Sequence, residues 1–178
     1  TTRKHQWVPP RQKPEPEPKP EIHPLKVMVL VWSSVPGIEY WELLPDHTTV
    51  TGEVYCAQLE KLKVQLETDR SGRGKVYFLH ENARLHISSS VRNRLIDYGW
   101  ELLPHPPYSP NLAPTDYHLF RALSNSLREK IFKDRNQVKA YLEVFFSQQP
   151  DQFYKDGFHS LPKRWRSVFK NEGEYFID

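Results

Sequence analysis

The chain has 178 residues, 26% of them charged, with one cysteine, seven glycines and sixteen prolines. That length suits a single domain, and the lone Cys56 excludes a disulfide framework or a multi-cysteine zinc site and fits a reducing compartment. No apolar run approaches the ~18 residues of a membrane span, so no membrane partner is expected, and a pI near 8.9 is too mild to argue for nucleic acid by itself.

The charge and the prolines gather at one end. Residues 1–26 hold six Lys/Arg against three Glu, which is the whole formal excess of +3, and seven prolines fall within the first 24 residues. Each proline removes a backbone donor and pushes its predecessor toward extended geometry. PPRQKPEPEPKPEIHP (9–24) therefore reads as a stiff basic arm, or as a passive linker, ahead of a neutral body. The boundary is drawn with the arm at 1–25 and the domain at 26–178. RKHQWV (3–8) has the composition of a short strand.

The body opens with KVMVLVWS (26–33) and GIEYWELL (37–44), two strands joined by Ser33-Ser34-Val35-Pro36 as a hairpin. A helix follows from about Thr51, with Val54, Tyr55, Leu59, Leu62 and Leu66 on one stripe, and SGRG (71–74) breaks it. KVYFLH (75–80) is almost continuously apolar, the pattern of an internal strand covered on both faces. A second helix starts among Ser88 to Ser90, turns Val91, Leu95 and Tyr98 inward and stops at Gly99. Trp100 to Leu103 forms another short strand, followed by a rigid loop, HPPYSPNLAP (105–114). Beyond it, 115–132 places Leu119, Leu123, Leu127 and Ile131 on one helical stripe, and Val138, Leu142, Phe145 and Phe146 mark a further helix. Aromatics run on through Phe153, Tyr154, Trp165, Phe169, Tyr175 and Phe176. Strands alternating with helices, then helices alone, argue for a three-layer α/β domain.

Two carboxylates stand out by position. Glu81 follows the KVYFLH strand at its carboxyl end, where sites gather in open α/β sheets, and Asp116 opens the helix after the proline-rich loop. Carboxylates at a sheet edge suit Mg²⁺, which takes hard oxygen ligands, although a two-ion phosphoryl-transfer site needs at least one more. Asp116 could equally cap its helix and Glu81 be an ordinary loop residue. His80, His86, His105 and His118 flank these loops without a recognisable zinc-ligand spacing. Lys163, Arg164, Arg166 and Lys170 are the one basic run of the body, either a solvated helix face or a phosphate-contact patch.

The words VMVLVWSSVPGIEYWELLP (27–45), VYFLHENARLH (76–86), GWELLPHPPYSPNLAPTDYHLF (99–120) and FYKDGFHSLPKRWRSVFKNEGEYF (153–176) resemble the catalytic domain of mariner-family transposases, of the Tc1/mariner superfamily. The resemblance spans nearly the whole chain. It implies an RNase H-like fold with a mixed sheet between helices, and cut-and-paste transposition of double-stranded DNA in the nucleus. It further implies three aspartates holding two Mg²⁺ (or Mn²⁺) ions, the last two separated by 34 residues. Here 34 residues lie between Glu81 and Asp116.

The departures from that pattern matter as much. Glu81 stands where HDNARPH has aspartate, one methylene too long, and Asn111 stands in SPNLAP where SPDLAP is usual. Thr1 falls after the family's first strand, which carries the first aspartate, so the expectation is a truncated and catalytically impaired, host-domesticated copy lacking that strand, with its sheet gap filled by 3–8 or by a partner, or else a fragment of a longer protein whose first strand lies upstream. By resemblance Arg84, His86, His118, Lys163, Arg164 and Arg166 are DNA-contact candidates at transposon ends. The arm corresponds to a clamp loop that would make a homodimer through Arg3, Trp7 and Val8, or dock a host protein. The alternative is a non-catalytic DNA-binding or protein-assembly module that reuses the fold.

Overall fold

The computed structural model describes residues 26–69 and 74–173, and the expectations for the arm, for Arg3, Trp7 and Val8, for residues 71–73 and for Tyr175 and Phe176 lie outside them. β1 (Val29–Ser34) and β2 (Gly37–Leu43) form the expected antiparallel hairpin, closed at Val35-Pro36. Its two faces serve different cores. Trp32 and Tyr40 pack on one side; Val29, Val31, Ile38, Trp41 and Leu43 pack on the other. This alternation is the two-residue period of a strand covered by helices on both faces. The register shifts beside Trp32, so that Glu39 is the extra residue of a bulge. At the far end of β2, Arg135 donates to the Leu43 carbonyl (2.8 Å) and pairs with Asp46 (3.0 Å).

The first core lies beneath α1 (Gly52–Asp69) and α2 (Ser89–Asp97). Tyr55, Leu59, Leu62 and Leu66 of α1 meet Val91 and Leu95 of α2 with Phe78 between them, as their 3–4 residue spacing predicts. Tyr98 packs against the same core. Gly99 (φ +68°) ends α2 with Trp100 N–H bonded to the Leu95 carbonyl and Gly99 N–H to that of Ile96, a left-handed closure that needs glycine. The chain then enters β4 (Glu101–Leu102), which runs parallel to β3 (Tyr77–Phe78).

β3 departs from the sequence reading. Phe78 is buried but Tyr77 is 60% exposed, so the strand is covered on one face only, and two residues of ladder are all that β4 offers it. Among the described residues the strands form two separate pairs, β1–β2 and β3–β4, and no strand joins them.

The second core lies on the other side of the hairpin. After a 3₁₀ turn (Pro110–Leu112) comes a π-helical turn (Thr115–Phe120), which passes into α3 (Arg121–Leu127). Leu119 and Leu123 are buried with Leu142, Phe145 and Phe146 of α4 (Arg135–Gln148) and Tyr154 of α5 (Asp151–Lys170). The stripe does not reach Ile131, which is 93% exposed, because α3 stops at Leu127 and Glu129 turns left-handed at φ +62°. Asp134 restarts the helix, its carboxylate accepting from Gln137 N–H (2.9 Å). The layers are α1–α2, hairpin, and α3–α5. No helix among the described residues is long and apolar enough to cross a membrane.

Candidate active site

Glu81 lies three residues past β3 and Asp116 is the second residue of the π turn, yet both open on one pocket of about 290 Å³. Its walls include two unbroken runs, Val29 to Ser33 and Tyr77 to Glu81. Successive residues of a strand point to opposite faces, so a pocket touched by all of them runs along the strand edges. It lies between the edges of β1 and β3 that meet no further strand among the described residues, with His86, Phe120 and Phe158 closing it.

Burial pushes the Asp116 carboxyl up to about 6, and the charge of Glu81 adds to that effect. Glu81 itself is exposed. No side-chain cap closes the start of the π turn, and Asp116 contributes its backbone N–H to the Ala113 carbonyl (2.9 Å), so helix capping is not its role. Behind Glu81 sits a small imidazole cluster. The Tyr55 hydroxyl lies 3.1 Å from His80 Nδ1, and the His80 and His86 rings stack at 5.2 Å. Burial, then His86 and His105, hold His80 down at about 4. Burial lowers His86 and His105 as well, with Glu81 pulling the other way. The imidazoles are therefore neutral at neutral pH, and the two carboxylates set the charge of the pocket.

That donor set fits one hard divalent cation. A carboxylate whose ionisation is disfavoured by burial and by a neighbouring negative charge, as that of Asp116 is, is relieved by a dication, and Mg²⁺ commonly takes one or two carboxylates and completes its shell with water and phosphate oxygens. It does not fit the pair of ions that the resemblance implies. No group of three or more His, Cys, Asp or Glu side chains able to hold a metal occurs among the described residues.

The remaining candidates separate. His86 joins the pocket through its ring and meets the Glu81 carbonyl at Nδ1 (3.1 Å), while Arg84 is exposed on the turn between them. His118 faces away from the pocket; its Nε2 donates to the Phe153 carbonyl (2.9 Å), so it is committed to α5. Lys163 and Arg166 are exposed on α5, but Arg164 is not part of that face. It is 8% exposed, stacks 3.9 Å over the Tyr117 ring and points Nη1 at the Asn111 carbonyl (3.4 Å), which corrects its assignment as a DNA contact. The basic run is split because consecutive helical residues project 100° apart. The sequence placed Tyr55 in the core but not beside His80, and it passed over Gly157. Gly157, in the middle of α5, carried a signal, since an interior helical glycine costs about 1 kcal/mol unless something needs the space.

Residues 1–76 match a family profile described as Transposase (partial DDE domain). Over 177 residues the chain is 38% identical to the Mariner Mos1 transposase of Drosophila mauritiana, covering 97% of this chain and 51% of that protein, so it spans about half the relative's length. A structure of the Mos1 transposase catalytic domain and raltegravir with Mg superposes with a TM-score of 0.82 at 39% identity, covering 85% of this chain and 77% of that one. The Mos1 transposase paired-end complex with left transposon end gives 0.85 at 39% identity, covering 99% and 52%.

Proposed function

The chain belongs to the mariner transposases as a catalytic domain of RNase H-like fold, and on that footing we propose that it cuts and joins double-stranded DNA at transposon ends with reduced turnover. The observation that carries this reading is the convergence on one pocket of Glu81 and Asp116, which have 34 residues between them in the sequence. Mos1 structures with Mg and with a transposon end support the same metal class and the same kind of DNA for this chain.

Glu81 and Asp116 would hold the ion, Mg²⁺ or Mn²⁺, which when bound supplies Lewis-acid stabilisation of charge developing on a phosphoryl oxygen. The residues of the chain do the rest. Phe120 and Phe158 narrow the apolar wall beside the carboxylates and limit water. The neutral His86 offers an imidazole on the same pocket without adding charge. Lys163 and Arg166, together with Arg84, present exposed cations for DNA phosphates, contacts that position a duplex without reading its sequence. Glu81 sets the reduced rate, because its extra methylene moves a ligand by on the order of 1 Å, a displacement that can cost ~100-fold.

A duplex bearing a transposon end, incubated with Mg²⁺ or Mn²⁺, tests this reading. Slow cutting is expected that disappears in Asp116→Ala and speeds up at least tenfold in Glu81→Asp. Cutting that survives Asp116→Ala overturns the site. No cutting by either wild type or Glu81→Asp favours the second reading, a non-catalytic DNA-binding or assembly module, which the absence of a third metal-holding side chain among the described residues supports. In both readings residues 1–25 serve as the arm of a homodimer or dock a host protein, and the nucleus is the site of action. Light scattering with and without 1–24 distinguishes the dimer: an unchanged monomer overturns it.

A further inference from the structure

The π turn that carries Asp116 separates two sets of side chains. Asp116 and Phe120 line the pocket with Glu81, whereas Tyr117, His118 and Arg121 line a second hollow against α5 with Ser160 and Arg164. We propose that Tyr117 and His118 are positioning residues, which fix the Asp116 carboxylate opposite Glu81 by pinning its turn to the α5 backbone. The inference rests on the reading of Asp116 as a metal ligand.

Three observations carry it. First, a π turn is a rare, single-turn structure that recurs at functional sites, and this one is six residues long with no side-chain cap. No hydrogen bond among the described residues orients the Asp116 carboxylate, so its placement follows from wherever the turn is held. Second, the turn is held at two points. Tyr117 Oη donates to the Gly157 carbonyl (2.7 Å) and His118 Nε2 to the Phe153 carbonyl (2.9 Å), two acceptors one helical turn apart on α5. One bond would leave a pivot; two bonds spaced along a helix axis resist rotation of the turn. Third, the attachment is built from both sides. Gly157 has no side chain where His118 sits, and a Cβ there would lie 2.8 Å from His118 Cδ2. The Ser160 hydroxyl lies 3.1 Å from Tyr117 Oη and 2.8 Å from the Gly157 carbonyl. The Arg164 guanidinium covers the Tyr117 ring at 3.9 Å and reaches back to Asn111, in the 3₁₀ turn just before.

Removing the partner that orients a ligand typically lowers metal affinity 10- to 100-fold. A backbone-mediated support should sit near the lower bound.

Mn²⁺ affinity, measured by calorimetry or by the Mn²⁺ electron-spin signal on the full chain, separates this role from ordinary stabilisation. Tyr117→Phe deletes one hydroxyl, and the expected dissociation constant rises about tenfold. His118→Ala should do the same, with His118→Gln, whose amide can still donate to Phe153, returning it to within about threefold of wild type. Tyr141→Phe is the matched control, since Tyr141 Oη donates to the Ser126 carbonyl (3.0 Å) on α3 rather than on the turn. It should lower the melting temperature as Tyr117→Phe does and leave the Mn²⁺ constant unchanged. Equal Mn²⁺ constants in Tyr117→Phe, Tyr141→Phe and wild type overturn the positioning role while the metal site stands. A wild type that binds Mn²⁺ no better than Asp116→Ala overturns the metal reading and this inference with it.

Discussion

Glu81 raises the proton affinity of Asp116 across the pocket they share, adding to the burial that lifts that carboxyl to about 6. Folding here forces together two like charges that the unfolded chain keeps apart. The pocket is thus paid for in stability at neutral pH, the condition under which a dication would be welcome.

Asp116→Asn should therefore stabilise the metal-free protein, and only above a certain pH. An unfolded aspartate titrates near 3.9 and the folded one near 6, so protonation favours the fold in between and ionisation opposes it above. Solvent reaches part of the group, which reduces the full linkage value to about 1 kcal/mol. Urea titrations at pH 8 should show that gain, and at pH 4 or below none. A gain independent of pH would mean that packing, not charge, is responsible.

His80 makes the opposite contribution over the same interval. Its folded value of about 4 lies below the ordinary 6.5, chiefly through burial, so the stability it contributes is complete above pH 6.5 and is lost as pH falls toward 4. His86 and His105 are lowered in the same sense. The wild type should therefore lose stability on acidification through pH 6.5–4 even though Asp116 gains. Replacing His80 with leucine should flatten that acid limb by on the order of 2 kcal/mol. An unchanged slope would place the titrating groups elsewhere.

Gly157→Ala sets two effects against each other. In an open helix the change stabilises by about 1 kcal/mol. Here the new Cβ would meet His118 Cδ2 at 2.8 Å and Cγ at 3.1 Å, and the imidazole is held on its other side by the Phe153 carbonyl (2.9 Å) and ring (4.3 Å). Overpacking of that kind costs about 1–3 kcal/mol, so after the gain of about 1 kcal/mol a net loss of up to about 2 is expected in chemical denaturation. The double variant with His118→Ala should recover most of it, because the clash is pairwise.

These interactions mark where the sequence stopped being informative. The helical stripes of α1, α2 and α4 were legible because each buries one face in a single core, and Tyr55, Leu59, Val91, Leu142 and Phe146 all lie where their spacing put them. The positions of Glu81 and Asp116 were legible because both follow elements whose ends the pattern marked. KVYFLH was misread because an apolar run does not say how many neighbours a strand has; Tyr77 is exposed for want of a cover among the described residues. Ile131 fits a stripe that ends one turn earlier, and nothing in its own spacing reveals the left-handed Glu129. The two sides of the basic run were inseparable by composition, since Arg164 differs from Lys163 and Arg166 only in facing Tyr117.

Arg164 also explains what Asn111 has lost. Both residues are buried, at 8% and 7% exposure, and Asn111 Oδ1 has no hydrogen-bond partner among the described residues. The Arg164 guanidinium is already committed beside it, with Nη1 3.4 Å from the Asn111 carbonyl. A buried guanidinium favours a carboxylate neighbour, and an orphaned amide oxygen at that place costs about 1–3 kcal/mol. Asn111→Asp, which restores the SPDLAP word, should therefore raise stability at pH 7 by about 1 kcal/mol, despite the usual penalty for burying a charge. The gain should vanish when Arg164 is replaced by methionine, and should fade as pH falls below the range in which a paired aspartate stays ionised. Asn111→Asp that destabilises in the presence of Arg164, or stabilises equally in its absence, would show that the two side chains do not interact.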